Sequence, residues 1–283
     1  MHFLLLTIIL HALIFSLFKL FGRQSINTFQ AIVVNYFVCV ITGSLFAGPS
    51  NVLNAEVGTW TYTALALGLV FISTFYMMAL TSQKISMAAS SIASKMSLAI
   101  PVLFSLFVLK VESDMNWINY IGICLALPAT YLSSKSSSGD GFQLKLLWLP
   151  LAIFFLNGFI DVVVNYSSLN LLRSNQLELF PIFAFLSAAV IGGTILLIQG
   201  KIPNSKTLIA GITLGVINYF SVYVLFLALD NLNNNGALVF PIFNTGIIVL
   251  TSAIGLVFFK EDLNWYNKIG ILVSVLAIIL IVL

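Results

Sequence analysis

Asn116-Trp117-(four residues)-Gly122 and Asn264-Trp265-(four residues)-Gly270 are two copies of one string, 148 positions apart. Each follows an acidic residue, in the runs Lys110-Val111-Glu112 and Lys260-Glu261, and each opens the last apolar segment of its half of the chain. Ala79-Leu80 and Ala228-Leu229 form a second echo at an offset of 149. Arg23 with Arg173, and Gly43 with Gly193, form a weaker third one at 150, because the residues between them mostly differ. Self-similarity at a fixed period marks a structure built from repeated units. Here the unit is half the protein.

Outward from these strings, apolar runs recur along all 283 residues, at 2–21, 28–47, 58–80, 86–109 and 117–134 in the first half. The second half has them at 146–168, 177–199, 206–229, 236–259 and 265–283. About 20 residues of helix cross a bilayer's hydrocarbon core. The chain is 60% hydrophobic and 7% charged, against roughly 25% charged in soluble domains. The runs are continuous rather than alternating, which excludes a β-barrel. The expected fold is therefore an all-α membrane protein of ten transmembrane helices, with lipid as its surroundings. The first run reads as an anchor that stays, not as a cleaved signal.

The polar stretch from Ser133 to Gly141 is the one linker-like segment. It divides the chain into a first five-helix repeat at 1–134, a linker at 135–145 and a second repeat at 146–283. Because five is odd, consecutive copies enter the membrane from opposite sides, and the repeat is inverted. Alternating access is the natural use of that symmetry.

Several of these features together resemble the drug/metabolite transporter superfamily, in particular its ten-span EamA-type members. They are the five-plus-five pattern, Glu112 after the fourth run, the Ser/Ala-rich stretch Ser86-Met87-Ala88-Ala89-Ser90-Ser91, and Pro101-Val102. The resemblance covers essentially the whole chain and implies transport of small organic solutes, from amino acids to sugar phosphates. The chain departs from the pattern in two places. Pro241 lies twenty residues before Glu261 whereas Pro101 lies eleven before Glu112, and the glycine usual before each Glu is Val111 and Lys260 here. The resemblance therefore assigns no particular substrate.

Nine of the twelve Lys and Arg (Lys19, Arg23, Lys84, Lys135, Lys145, Lys201, Lys206, Lys260 and Lys268) fall by odd-numbered loops. Lys110 and Arg173 fall by even-numbered ones, and Lys95 is within a run. The positive-inside rule makes the odd-loop side cytoplasmic and both termini extracytoplasmic, although relatives in the superfamily are drawn with termini inside. The expected location is the cell membrane, crossed many times.

Ionisable residues in hydrocarbon cost about 2.5 to 3.5 kcal/mol each and call for a reason. Lys95 and Asp161 are the two near span centres, and Asn157 and Asn165 share a helix face with Asp161. Lys95 corresponds to Asn244 at the offset of 149, and His11 to Asp161 at 150. These residues, with Asn35, Asn218 and Tyr219 as lesser candidates, are the expected lining of a solute site. Lys95 either pairs with Asp161 or faces a substrate carboxylate or phosphate. An interhelical hydrogen-bond seam is the competing reading of the Asn157, Asp161 and Asn165 face. Pro101, Pro128, Pro181 and Pro241 lie inside runs and predict kinks, mobile or static. Trp117 and Trp265 read as interfacial anchors, and Cys39 and Cys124 as buried small residues.

Function follows as a secondary transporter of an amino acid or related metabolite, with no cofactor. No phosphate-loop motif is present, so the drive is an ion gradient, exchange or the solute's own gradient, and Asp161 and His11 are the proton carriers available. A non-transporting membrane scaffold is the alternative, and an intramembrane enzyme is disfavoured for want of paired acids or clustered metal ligands. The scattered net charge of +3 gives no basic face for nucleic acid. A homodimer is compatible with the sequence, which leaves the oligomeric state open.

Overall fold

The computed structural model describes residues 1–108, 116–135, 146–173, 176, 179–232 and 236–282. Glu112, Lys110, Lys145 and nearly all of the linker at 135–145 therefore lie outside the described residues. Every described element is helical. The apolar runs become α1 (His2–Arg23), α2 (Thr28–Ala47), α4 (Thr59–Lys84), α7 (Trp117–Ser134), α8 (Trp148–Asn170) and α9 (Leu179–Ile198). They continue as α10 (Ser205–Asn231), α11 (Gly236–Val257) and α12 (Trp265–Val282). A short helix α3 (Pro49–Leu53), with Pro at its first position, interrupts the second loop.

Among the described residues, eight helices are long and apolar enough to cross a membrane, counting Met87–Phe104 as one. Helices also occupy the two remaining runs, as α7 and α12. Large apolar side chains such as Leu45, Leu197, Ile198, Phe226 and Leu272 stand exposed on the outside. Such a surface is tenable only against lipid, so this is the exterior of a helical integral membrane protein.

Two differences from the sequence reading matter. α4 and α10 run four and two residues past the expected ends, which places Ala79 and Ala228 inside helices. The fourth run is also not one helix but two, α5 (Met87–Met96) and α6 (Ala99–Phe107). Pro101 has no N–H to give to the Ser97 carbonyl, which takes the Ile100 N–H at 2.9 Å instead. The turn tightens there, and the helix breaks directly after Lys95 and Met96. Pro128 and Pro241 stay inside α7 and α11, and Pro181 sits in the first turn of α9.

The halves interlock. α1 packs on α10 and α11, α2 on α9 and α10, α4 on α8 and α9, and α5 on α8 and α11. α12 lies along α7, and here the repeated string shows its purpose. Asn116 caps α7 by accepting the Ile118 N–H at 2.8 Å, while Asn119 accepts the Asn116 N–H at 2.7 Å. Asn264 and Asn267 build the same reciprocal box at the start of α12, at 2.9 and 3.0 Å. The Asn119 amide then donates to the Leu280 and Ile281 carbonyls at the far end of α12. The Asn267 amide donates to Leu132 and Ser133 at the far end of α7.

The two helices are therefore antiparallel and cap one another. The glycines of the string let them touch: a Cβ on Gly122 would meet Ile281 N at 2.6 Å, and one on Gly270 would meet Ser133 N at 2.4 Å. Trp117 and Trp265 begin these helices with their rings exposed, as interfacial anchors do.

Ends of the bundle are tied loop to loop. Lys206 donates to the Gln24 carbonyl at 2.8 Å, Asn264 to the Lys135 carbonyl at 2.7 Å, and Arg23 to the Phe259 carbonyl. All join odd-numbered loops. Arg173 and Glu56, from even-numbered loops, pair at 3.5 Å in full exposure.

Candidate functional site

α5 is built to run inside the bundle. Ser86 caps it by accepting the Ala89 N–H at 3.0 Å. Ala88, Ala89, Ser90, Ser91 and Ala93 are fully buried, small enough to admit close neighbours on several sides. Ser90 donates to the Met78 carbonyl of α4 at 2.8 Å, and Ser91 meets Thr251 of α11 at 2.7 Å. This packing carries Lys95 to the interior, where its ammonium sits 4.7 Å from the centre of the Phe243 ring.

The other candidates converge on the same place. His11 of α1 meets the Phe243 ring edge-on at 4.8 Å and holds the Thr7 carbonyl through Nδ1 at 3.0 Å. Thr7 in turn donates to the Ser221 carbonyl of α10 at 2.8 Å, which fixes α1 in depth. On α8, the Asn157 amide donates to Ser94 Oγ at 2.6 Å and to the Ser94 carbonyl at 3.1 Å. One turn further, Asp161 receives Ser97 Oγ at 3.4 Å. Gly158 permits this approach, since a Cβ there would lie 2.2 Å from Ile100 Cδ1. The polar face of α8 thus lies on the break between α5 and α6. Asn244 is buried next to Phe243.

The charges are near one another yet unpaired. Lys95 is within electrostatic range of both Asp161 and His11. The ion pairs among the described residues are Lys19–Glu261 and Arg173–Glu56, so none joins Lys95 to Asp161. The Lys95 ammonium makes its direct contact with the Phe243 face, and Asp161 and His11 act on it only at longer range. Asp161 is exposed while Lys95 and His11 are half-buried, so this polar cluster draws its side chains from α1, α5, α8 and α11. An ammonium and an imidazole at one aromatic ring, with a carboxylate and an amide at the adjoining helix break, can hold a small molecule bearing both charges.

The remaining expected residues lie elsewhere. Asn165 is exposed one turn beyond Asp161. Asn35 and Asn218 are sealed between α2 and α10, where the Asn218 amide donates to Asn35 Oδ1 at 3.1 Å and contacts Cys39 Sγ at 3.5 Å. Gly211 and Gly215 bring those two helices together. Tyr219 stands in an aromatic cluster with Phe46, Phe220 and Tyr223. Cys124 is exposed rather than buried, because it projects from the outer side of α7. Sequence reading passed over Ser94, Ser97 and Phe243. Phe243 carries no signal among 24 phenylalanines, but the two serines precede the Pro101 break by a helical turn or two.

No family model matches the chain. It is similar to an uncharacterized protein of Haemophilus influenzae (strain ATCC 51907 / DSM 11121 / KW20 / Rd), with 27% identity over 289 residues, covering 98% of this chain and 96% of that protein. A solved crystal structure superposes with a TM-score of 0.63 at 16% identity, covering 98% of this chain and 95% of its own. That likeness establishes a shared fold.

Proposed function

We propose that the protein is a secondary transporter of ten membrane-spanning helices that carries a small zwitterionic organic solute, an amino acid or a related metabolite, by alternating access. The observation that carries this reading is a pair of opposite charges held near one another without direct contact. Lys95 and Asp161 act on each other electrostatically but form no ion pair. Two ionic side chains placed in a membrane interior as glue would meet each other, because an unpaired charge there is costly. Held apart, they suit a ligand whose carboxylate meets the ammonium and whose amino group meets the carboxylate. Phe243, buried beneath the Lys95 ammonium, holds that charge in place without neutralising it.

Architecture supports the same reading. Exchanging the two halves turns α1, α2, α4, α5–α6 and α7 into α8, α9, α10, α11 and α12. Under that exchange the packing of α1 on α10 and α11 becomes that of α8 on α4 and α5, and both exist. Helices that exchange with each other run antiparallel where they touch. Asn119 and Asn267 show it for α7 with α12, and Gly43 on Ile182 with Gly192 on Val33 show it for α2 with α9. Lys95 at Phe243 and Ser91 at Thr251 show it for α5 with α11. This is the pattern an inverted repeat with an in-plane two-fold axis requires. The break in the helix carrying Lys95 is the discontinuity expected at such a midplane site. Resemblance to drug/metabolite transporters implies the same activity. With the cation-rich odd loops cytoplasmic, both termini face outward across the cell membrane, and Asp161 or His11 carries any coupling proton.

The test is a thermal-shift screen of amino acids and their carboxylate and amine analogues on the purified protein, followed by counterflow in vesicles. Zwitterions should stabilise the wild type, and Lys95→Ala should lose that stabilisation. Equal stabilisation of the variant, or no stabilising solute together with no counterflow, overturns the proposal in favour of a scaffold.

A further inference from the structure

At the odd-loop end of the bundle, one carboxylate ties together the helices that carry the site. α11 ends at Val257, and Lys260 then adopts a left-handed backbone with φ +50°. This reverses the chain so that the Glu261 N–H donates back to the Gly255 carbonyl at 2.9 Å. The Glu261 side chain is thereby folded inward over Gly255, where a Cβ would lie 2.6 Å from Oε2. Both of its oxygens accept the Met87 N–H, at 3.0 and 3.1 Å, at the very start of α5. Oε1 also meets Lys19 Nζ of α1 at 2.6 Å, and both side chains are well buried, at 13% and 6% exposure.

A carboxylate between an ammonium and a helix N-terminus is well satisfied electrostatically. What matters is which helices it joins. α1 carries His11 eight residues before Lys19, and α5 carries Lys95 eight residues after Met87, each about 12 Å along its helix at 1.5 Å per residue. α11 carries Phe243. Glu261 therefore gathers, at the odd-loop end, three of the helices that carry the site. The Lys19–Glu261 pair stands in the wall of a cavity of about 330 Å³ that Arg23, Lys84, Lys135, Lys260 and Asp262 also line, cations outnumbering acids.

We propose that Glu261 is the latch that keeps the site shut toward the odd-loop side. The inference rests on the alternating-access reading. A solute can leave toward that side only if α1, α5 and α11 part, and Glu261 must then let go of Lys19, of the Met87 N–H, or of both. An ion pair suits such a task, because it is strong while dry and weak once water reaches it. The basic cavity beside it supplies that water and draws in anionic groups.

The experiment uses the full chain with Cys39→Ala and Cys124→Ser and a reporter, Lys95→Cys, in sealed vesicles of known orientation. A membrane-impermeant thiol reagent is applied from the odd-loop side. With Glu261 intact, labelling should be slow from that side. Glu261→Gln keeps an acceptor for the Met87 N–H but loses the charge, and should raise the labelling rate at least tenfold. Lys19→Met should raise it too, so the latch is judged even where one variant folds poorly. Unchanged labelling in both variants, with cooperative unfolding retained, overturns the latch. Counterflow by the unmodified protein is measured separately. If counterflow occurs and labelling does not respond, the latch alone falls; if counterflow is absent, the transporter reading falls and labelling still decides whether Glu261 holds this end closed.

Discussion

Replacing Lys95 with Met should make the protein more stable while removing its ability to bind solute. A lysine at mid-span costs about 2.5 to 3.5 kcal/mol on insertion scales. Against this, its ammonium gains the Phe243 face at 4.7 Å, worth about 0.5 to 2 kcal/mol. It makes no hydrogen bond or ion pair among the described residues. Its half-buried position lets water recover part of the cost. Met keeps the length of the stem, and its sulfur contact with the ring recovers about 0.3 to 1.5 kcal/mol. The net is a gain of about 1 kcal/mol, or roughly 2 to 4 °C in midpoint on the scale of domains of 150–250 residues. Thermal unfolding in one detergent, with and without a stabilising zwitterion, reads both effects. A control is Asn157→Ala, which leaves Ser94 without its donor and should cost about 1 to 2 kcal/mol. Should Lys95→Met destabilise the protein by as much as that control does, Lys95 is a strut of the bundle and the argument from unpaired charge fails.

Gly270→Ala should cost about 1 to 2 kcal/mol, since its Cβ would meet backbone atoms of α7 at 2.4 and 2.8 Å. The overpacking penalty of about 1 to 3 kcal/mol exceeds the helix-propensity gain of about 1. Gly193→Ala, whose Cβ would find ordinary contact at 3.4 Å with Phe37, should be neutral or mildly stabilising; thermal unfolding in detergent that ranks the two variants the other way would refute the packing argument. Asp161→Asn should abolish proton-driven accumulation yet leave exchange in place, as tracer uptake with and without an imposed gradient would show; unaltered concentrative uptake would remove Asp161 as proton carrier. Lys260→Gly should relieve a left-handed strain of about 1 to 2 kcal/mol, less glycine's unfolded-state entropy of about 0.4 to 1. Its net effect is a small stabilisation with slower odd-side labelling of the reporter, and faster labelling would show that Lys260 does more than turn the chain.

Much of this was legible in the sequence because lipid leaves so few options. Apolar length alone places the helices, since the backbone must satisfy itself within each segment. The cost of an intramembrane charge likewise singles out Lys95 and Asp161 without any structure. Partners are a different matter. The face shared by Asn157, Asp161 and Asn165 is real as a helical stripe, yet Asn157 and Asp161 meet serines at the helix break while Asn165 stays exposed. Asn35 and Asn218 look equally functional in sequence, and the structure spends them on each other. A buried amide can close its hydrogen bonds with any neighbouring amide. An isolated ammonium cannot, which is why charge was the better guide to this cluster than polarity.

The repeated string carried more than the sequence reading took from it. It was read as a mark of duplication, but its second asparagine, Asn119 in one copy and Asn267 in the other, closes the capping box and then reaches the partner helix's carbonyl end. That reach is productive only if α7 and α12 run in opposite directions, so the motif itself encodes antiparallel pairing. Glu261 was hidden for the opposite reason. It follows a helix end, where the sequence gives no sign of burial, and what turns it inward is the left-handed Lys260 at the position where the pattern that the sequence resembles has glycine. A glycine there announces a reversal, whereas a lysine conceals one. The departure from the family pattern and the burial of Glu261 are thus two views of one backbone turn, and together they put a carboxylate where it holds three helices at once.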